Sequence, residues 1–149
     1  MTIIRAPEGH AVDVLGDGVV IKLASERSPH GMAVVLVTVP PGSFLPPVAH
    51  REEEEIYFVL EGCLVMHFDG QEVELGRWDM AHVPPGTFHG YRNDGEQEVR
   101  FLSWTVGGPM DQFFVEMSRN VKSLPQDGPK MAELLDRFGI TMPGGPAEP

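Results

Sequence analysis

The stretch "GSFLPPVAHREEEEIYFVLEG", residues 42–62, sets a histidine and four consecutive glutamates directly before an apolar run. Like charges side by side repel, so such a run belongs in a solvated turn or around a bound cation. His50 and Glu55 are five residues apart, an odd separation that sends them to opposite faces of an unbroken strand. They share a face only if the chain turns between them, and the polar "REEE" of 51–54 suits a turn. Glu52, Glu53 and Glu54 are read as that solvated turn, with Glu54 replacing Glu55 if the strand slips by one residue. If Glu55 points inward, alternation carries Tyr57 and Val59 inward and turns Ile56, Phe58 and Leu60 outward. The strand is then apolar on both faces, and its outer face needs cover. C-terminal helices and a second subunit are expected to supply it, making a homodimer.

Outward from this stretch the chain alternates short β-rich runs with glycine and proline. Strands are expected at 18–24, 31–39, 43–50, 55–60, 63–69, 71–75, 79–83, 87–93 and 97–106. "PPG" at 40–42 and 84–86, "EG" at 61–62 and "NDG" at 93–95 punctuate them, and "DG" at 69–70 is the clearest hairpin signal. Many short strands so spaced make an antiparallel sandwich or barrel. After "VGGP" at 106–109 the period becomes helical: Phe113, Phe114, Met117 and Val121 mark one helix, and Met131, Leu134, Leu135 and Phe138 a second. Asp127 is placed to cap the second helix, with Pro129 in its first turn and Gly139 at its end. One domain over 1–149 is expected: barrel at about 12–106, helices at about 109–139, loose tail at 140–149.

Composition narrows the function. A chain of 149 residues with 42% hydrophobic content suits one domain with a real core. The net charge of −11 disfavours nucleic acid and anionic membranes as partners but not a small ligand or a divalent cation. Cys63 is the single cysteine, which excludes an internal disulfide and fits a reducing cytoplasm. The start "MTIIRAPEGH" lacks the pattern of a signal peptide, and no run approaches the length of a membrane span. A cytoplasmic location is expected.

A third metal-type residue lies in "HVPPGTFHGYRN", residues 82–93, where a proline–glycine turn precedes His89. Two histidines and one carboxylate suit a divalent transition metal, with coordination positions left open.

These motifs resemble the cupin superfamily of small β-barrels. Its first motif is matched by Gly42, Val48-Ala49-His50, Glu55 and Gly62 at the family's spacing, and its second by Pro84-Pro85-Gly86, His89 and Asn93. The resemblance implies an all-β cupin barrel (a double-stranded β-helix, or jelly roll) followed by two short α-helices. It also implies a divalent metal (Fe, Mn, Ni, Zn or Cu) held by His50, Glu55 and His89. Val48 stands where the family has a fourth ligand, a histidine, and Trp78 where a glycine commonly precedes the aspartate, here Asp79. The acidic, aromatic character and late helices look like small bacterial cupins labelled quercetinase-like.

The reading that follows is a metal-dependent enzyme for a small molecule, in particular a dioxygenase acting on a phenolic or other oxygenated hydrophobic substrate. Tyr57 and His82 are candidates for proton transfer, and Phe44, Met66, Tyr91, Phe101 and Trp104 for the pocket wall or rim. Two other classes stay open. One is a metal-independent isomerase or cyclase using His82, His89 or Tyr57; the other is a non-catalytic ligand-binding barrel in which Val48 marks a lost metal site. Fold alone does not choose among them.

Overall fold

Alternating apolar and polar residues fold into two facing antiparallel sheets, followed by two helices, in a computed structural model that describes residues 1–144. The strands are β1 (His10–Val14), β2 (Asp17–Leu23), β3 (Ala33–Val39), β4 (Phe44–His50), β5 (Glu54–Glu61), β6 (Leu64–Phe68), β7 (Gln71–Leu75), β8 (Met80–Val83), β9 (His89–Arg92), β10 (Val99–Val106) and β11 (Ile140–Thr141). The helices are α1 (Met110–Asn120) and α2 (Gly128–Arg137). One sheet runs β1-β2-β3-β10-β5-β8 and the other β11-β4-β9-β6-β7.

Every expected strand is present to within two residues at either end. The "DG" signal is a two-residue hairpin loop between β6 and β7, pairing Phe68 with Gln71. Asp69 and Gly70 both take positive φ, 47° and 75°, the primed geometry whose twist matches the flanking strands. Two strands were not expected. β1 is an exposed edge strand that, among the described residues, pairs only with β2, and β11 lies in the segment expected to be loose. Ile140 is buried and pairs with His50, so order continues past the second helix; residues 145–149 of the expected tail lie outside the described residues.

The main core fills the space between the sheets. On β3, β5 and β10 every second residue faces it, so Val35, Val37, Tyr57, Val59, Val99 and Phe101 are buried. β5 has the inward and outward alternation expected for Tyr57 and Val59 against Ile56, Phe58 and Leu60. In β4, Pro46 and Pro47 donate no ladder hydrogen bond, and the pairing with β9 is irregular between Leu45 and Val48. Past that irregularity Val48 and His50 are both buried and line the interior cavity, a pair that an unbroken alternation would also produce.

The helices correct one expectation. They do not cover the outer face of β5; α1 packs against β1, β3 and α2, and α2 against β11. Met110, Phe113, Met117 and Leu134 form a second apolar cluster with Val48 and Ile140 over the open end of the barrel. The stripe residues Phe113, Met117 and Leu134 meet apolar partners there, in Val48 and Ile140. Asp127 precedes α2, but its carboxylate accepts from the Lys122 and Ser123 amides and the Lys130 ammonium instead of capping the helix.

The outer face of the six-stranded sheet keeps its own apolar row. Leu36, Leu102, Phe58 and Met80 are in register across four strands, with Trp78 beside Phe58. Trp78 adopts φ of 74°, a left-handed conformation that favours glycine, the residue the family commonly has there. For a tryptophan this costs about 1–3 kcal/mol.

Packing against the core predicts the effect of truncation. Leu64 is fully buried between the sheets, and Leu64→Ala should destabilise the protein by about 2–5 kcal/mol in urea unfolding. A loss below 1 kcal/mol would mean that the barrel interior collapses to fill the space.

Candidate metal centre

Three elements bring His50, Glu55 and His89 together at the barrel's interior, all buried. His50 ends β4, Glu55 lies near the start of β5, and His89 opens β9. The chain turns at 51–53, and that turn cancels the odd separation of His50 and Glu55. Nε2 of His50 stands 3.4 Å, and Nε2 of His89 3.2 Å, from the same Glu55 oxygen, Oε2. Neighbouring ligands of a metal with bonds of about 2.1 Å sit about 3.0–3.4 Å apart, so the spacing is that of a coordination edge.

Each donor is aimed by a partner. Nδ1 of His89 donates to the Thr87 carbonyl at 2.9 Å, which turns Nε2 toward Glu55 and makes it the nitrogen available to a metal. The Ser103 hydroxyl donates to Oε1 of Glu55 at 2.8 Å, leaving Oε2 toward the histidines. Nδ1 of His50 faces Oε2 of Glu53 at 3.1 Å. This donor set fits a divalent transition metal: two imidazole nitrogens and one carboxylate oxygen within 4.8 Å of one another. Val48 is buried beside them and offers no donor, so coordination positions stay open.

The electrostatics follow from burial among these partners. Burial alone would push the Glu55 carboxyl up, but the two histidines outweigh it and hold the group well below the usual carboxylate range. Burial would lower His50, but the close Glu53 and Glu55 carboxylates outweigh it and raise the imidazole to about 9. Tyr57, whose ring stands 5.8 Å from that of His89, is pushed well above its ordinary value by burial and then by the Glu55 charge. It is a neutral phenol at neutral pH, able to offer a hydrogen bond without giving up its proton.

Above the donors lies a cavity of about 660 Å³. Tyr57, Tyr91, Phe101, Val48 and the helix residues Phe113 and Met117 line it, and its wall is mainly apolar. On the far side Asp17, also in the lining, accepts from the Tyr91 hydroxyl at 2.7 Å and the Ser43 hydroxyl at 2.5 Å. Burial pushes the Asp17 carboxyl up. A larger groove of about 1320 Å³ lies between the N-terminal segment and the helices. It is lined by mixed charges and none of the three donors, so the chemistry belongs to the smaller cavity.

The other expected site residues divide. Tyr57, Tyr91 and Phe101 line the cavity, and Phe44 stands at its rim, 67% exposed. Met66 is buried in the barrel core away from the cavity lining. Trp104 pairs with Ile56 and Val34 on the outer face, because a residue three positions from inward-facing Phe101 has the opposite parity. His82 is likewise opposite Ile56 and points out of the barrel, where Nε2 meets Oε1 of Glu54 at 2.5 Å. It therefore stands apart from the three donors. Glu52 and Glu54 are exposed as expected, but Glu53 is buried. Sequence reasoning missed Glu53 and Ser103. Both share the inward parity of Glu55 or Phe101, and a polar residue at such a position was the available signal.

Residues 35–105 match the family model described as "Cupin domain". The chain belongs to the cupins. It is 31% identical over 83 residues to an oxalate-binding protein of Thermotoga maritima, covering 54% of this chain and 69% of that one. It is 29% identical over 113 residues to a quercetin 2,3-dioxygenase of Bacillus subtilis, covering 75% of this chain. The match spans only 33% of that dioxygenase. Among solved structures, KdgF from Halomonas sp. superposes with a TM-score of 0.67 at 20% identity, over 75% of this chain and 98% of that one. A protein described as a predicted oxalate decarboxylase from Thermotoga maritima gives 0.65 at 23% identity, over 71% and 99%. At these identities the two structures establish the fold alone.

A metal bound at Nε2 of His50 would have to displace a proton. With His50 raised to about 9, the metal-free site holds a proton that a metal at Nε2 excludes. Lower pH therefore favours the metal-free form. Apparent zinc affinity is expected to rise about tenfold per pH unit between 7 and 9 and to level off above, read by competition with a chelator. A flat profile across that window would show that His50 is not a protonated donor.

Proposed function

We propose that the chain is a metal-dependent cupin enzyme acting on a small oxygenated hydrophobic molecule, with a dioxygenase of the quercetinase type as the specific reading. The observation that carries it is a cluster of two histidines and one carboxylate at a mainly apolar cavity, with His50 and Glu55 in its lining and His89 buried directly behind them. A bound divalent metal would supply Lewis-acid polarisation of a substrate oxygen and, for a redox-active ion, access to dioxygen chemistry. The residues do the rest. Phe101, Tyr91 and Phe113 hold an aromatic or aliphatic body against the wall, and the cavity size suits a ligand larger than a simple dicarboxylate. Tyr57 donates to a developing oxygen charge beside the donors. Val48 keeps one side of the site free of a protein ligand. The named activity of the Bacillus subtilis relative supports this choice, and the size and apolar wall of the cavity weigh against the small ligand named for the Thermotoga maritima relative.

Elemental analysis and flavonol turnover under oxygen test this reading. His89→Ala should lose stoichiometric metal and reduce turnover at least a hundredfold. Val48→His should tighten metal binding and slow turnover by filling an open position. Wild type, Val48→His and His89→Ala with the same near-zero metal content would sink the metal reading, leaving a metal-free isomerase, cyclase or binding barrel.

The protein is also proposed to be a cytoplasmic homodimer that joins through the outer face of the six-stranded sheet. The supports are the solitary cysteine, the half-buried row of Leu36, Leu102 and Phe58, and the strained, exposed Trp78 at its edge. No helix among the described residues is long and apolar enough to cross a membrane. Because the helices dock elsewhere, Phe58→Lys should give a folded monomer in light scattering with its circular dichroism unchanged. A wild-type protein that is monomeric at every concentration would remove the dimer.

A further inference from the structure

Glu53 presents a problem that the three donors do not solve. It is a carboxylate 4% exposed in the turn between β4 and β5, where a solvated residue was expected. The barrel makes room for it: a Cβ on Gly108 would lie 2.1 Å from Glu53 Oε1. Its other oxygen, Oε2, is fully buried without a well-formed hydrogen bond, and so is Nδ1 of His50. These two unsatisfied atoms face each other at 3.1 Å. Leaving both poorly aligned is costly, so the pair needs a condition that straightens it.

We infer that Glu53 is a positioning residue for the metal centre, taking the Nδ1–H of His50 and so holding Nε2 toward Glu55 and His89. The inference rests on the metal reading above and goes beyond the donors to what orients them. The other two donors already have such partners, in the Thr87 carbonyl for His89 and the Ser103 hydroxyl for Glu55. Glu53 completes the set. With a metal held at Nε2 of His50, the Nδ1–H would be a stronger donor and the Glu53 carboxylate its nearest acceptor. In return the carboxylate fixes the tautomer and raises the basicity of Nε2. Parity places it there, since residues 53, 55, 57 and 59 are all buried on one face while Glu54 faces out to His82.

Cobalt(II) binding by the full chain tests the assignment without reference to turnover. Dissociation constants and visible ligand-field spectra are to be measured for wild type, Glu53→Gln and Glu53→Ala. The Ala variant should bind cobalt about 10–100-fold more weakly with an altered spectrum. The Gln variant, whose amide oxygen still accepts from Nδ1–H, should recover most of the affinity and the wild-type spectrum. Wild-type affinity and spectrum in Glu53→Ala would overturn the inference while leaving the metal reading intact. Equal weakening in Ala and Gln would also overturn it, making Glu53 a bulk charge. Failure of wild type to bind cobalt would end both readings. If Glu53→Ala does not fold, long-range proton–nitrogen spectra of the zinc-loaded wild type decide: Nδ1 of His50 protonated and Nε2 on the metal supports the role, and the reverse overturns it.

Discussion

The constraint on which the structure depends is the burial of the Glu55 charge. Glu55 is ionised inside a β-barrel, and an unpaired carboxylate there would cost several kcal/mol. It is tolerated because β4 and β9 deliver His50 and His89 to one of its oxygens while β10 brings the Ser103 hydroxyl to the other. Those partners come from both sheets, since β5 and β10 belong to one and β4 and β9 to the other. The polar cluster therefore ties the sheets together across an interior that is otherwise held by apolar packing.

Much of this was legible in the chain. The spacing of Gly42, His50, Glu55, Gly62, Gly86, His89 and Asn93, with period-two runs between them, specifies the barrel and the three donors, because strand parity and turns act locally. Asn93 shows why such spacing matters: its side chain donates to the Val39 and Gln97 carbonyls and secures the loop after β9. What escaped was set by tertiary contact. A glutamate in an acidic turn looks solvated until Gly107-Gly108 comes against it from 54 residues further along the chain. Trp104 and His82 looked like site residues by type, whereas parity puts both outside. The docking place of the helices could not be read either, since an amphipathic stripe says that a face is buried but not against what.

Two departures from the family pattern have opposite characters. Val48 replaces a donor with a side chain that joins the apolar cluster beneath α1, so the change at the site is also a change in how the helices seat. Trp78 keeps the backbone that glycine would adopt without strain and adds a large indole tilted against Phe58 and under Arg77. One substitution alters the floor of the cavity; the other alters the exterior of the opposite sheet.

The seating of the helices divides labour within a small chain. The donors stand on strands whose hydrogen-bonded ladders fix them, whereas Phe113 and Met117 reach the same cavity from a helix that contacts the barrel through side chains. The shape of the cavity can therefore change by exchanging roof residues while His50, Glu55 and His89 stay fixed below. Methionine suits such a roof, because its unbranched, polarisable side chain reshapes around differently contoured guests. Met110, Met117, Met131 and Met142 all line it, giving a ceiling that conforms over a base that does not.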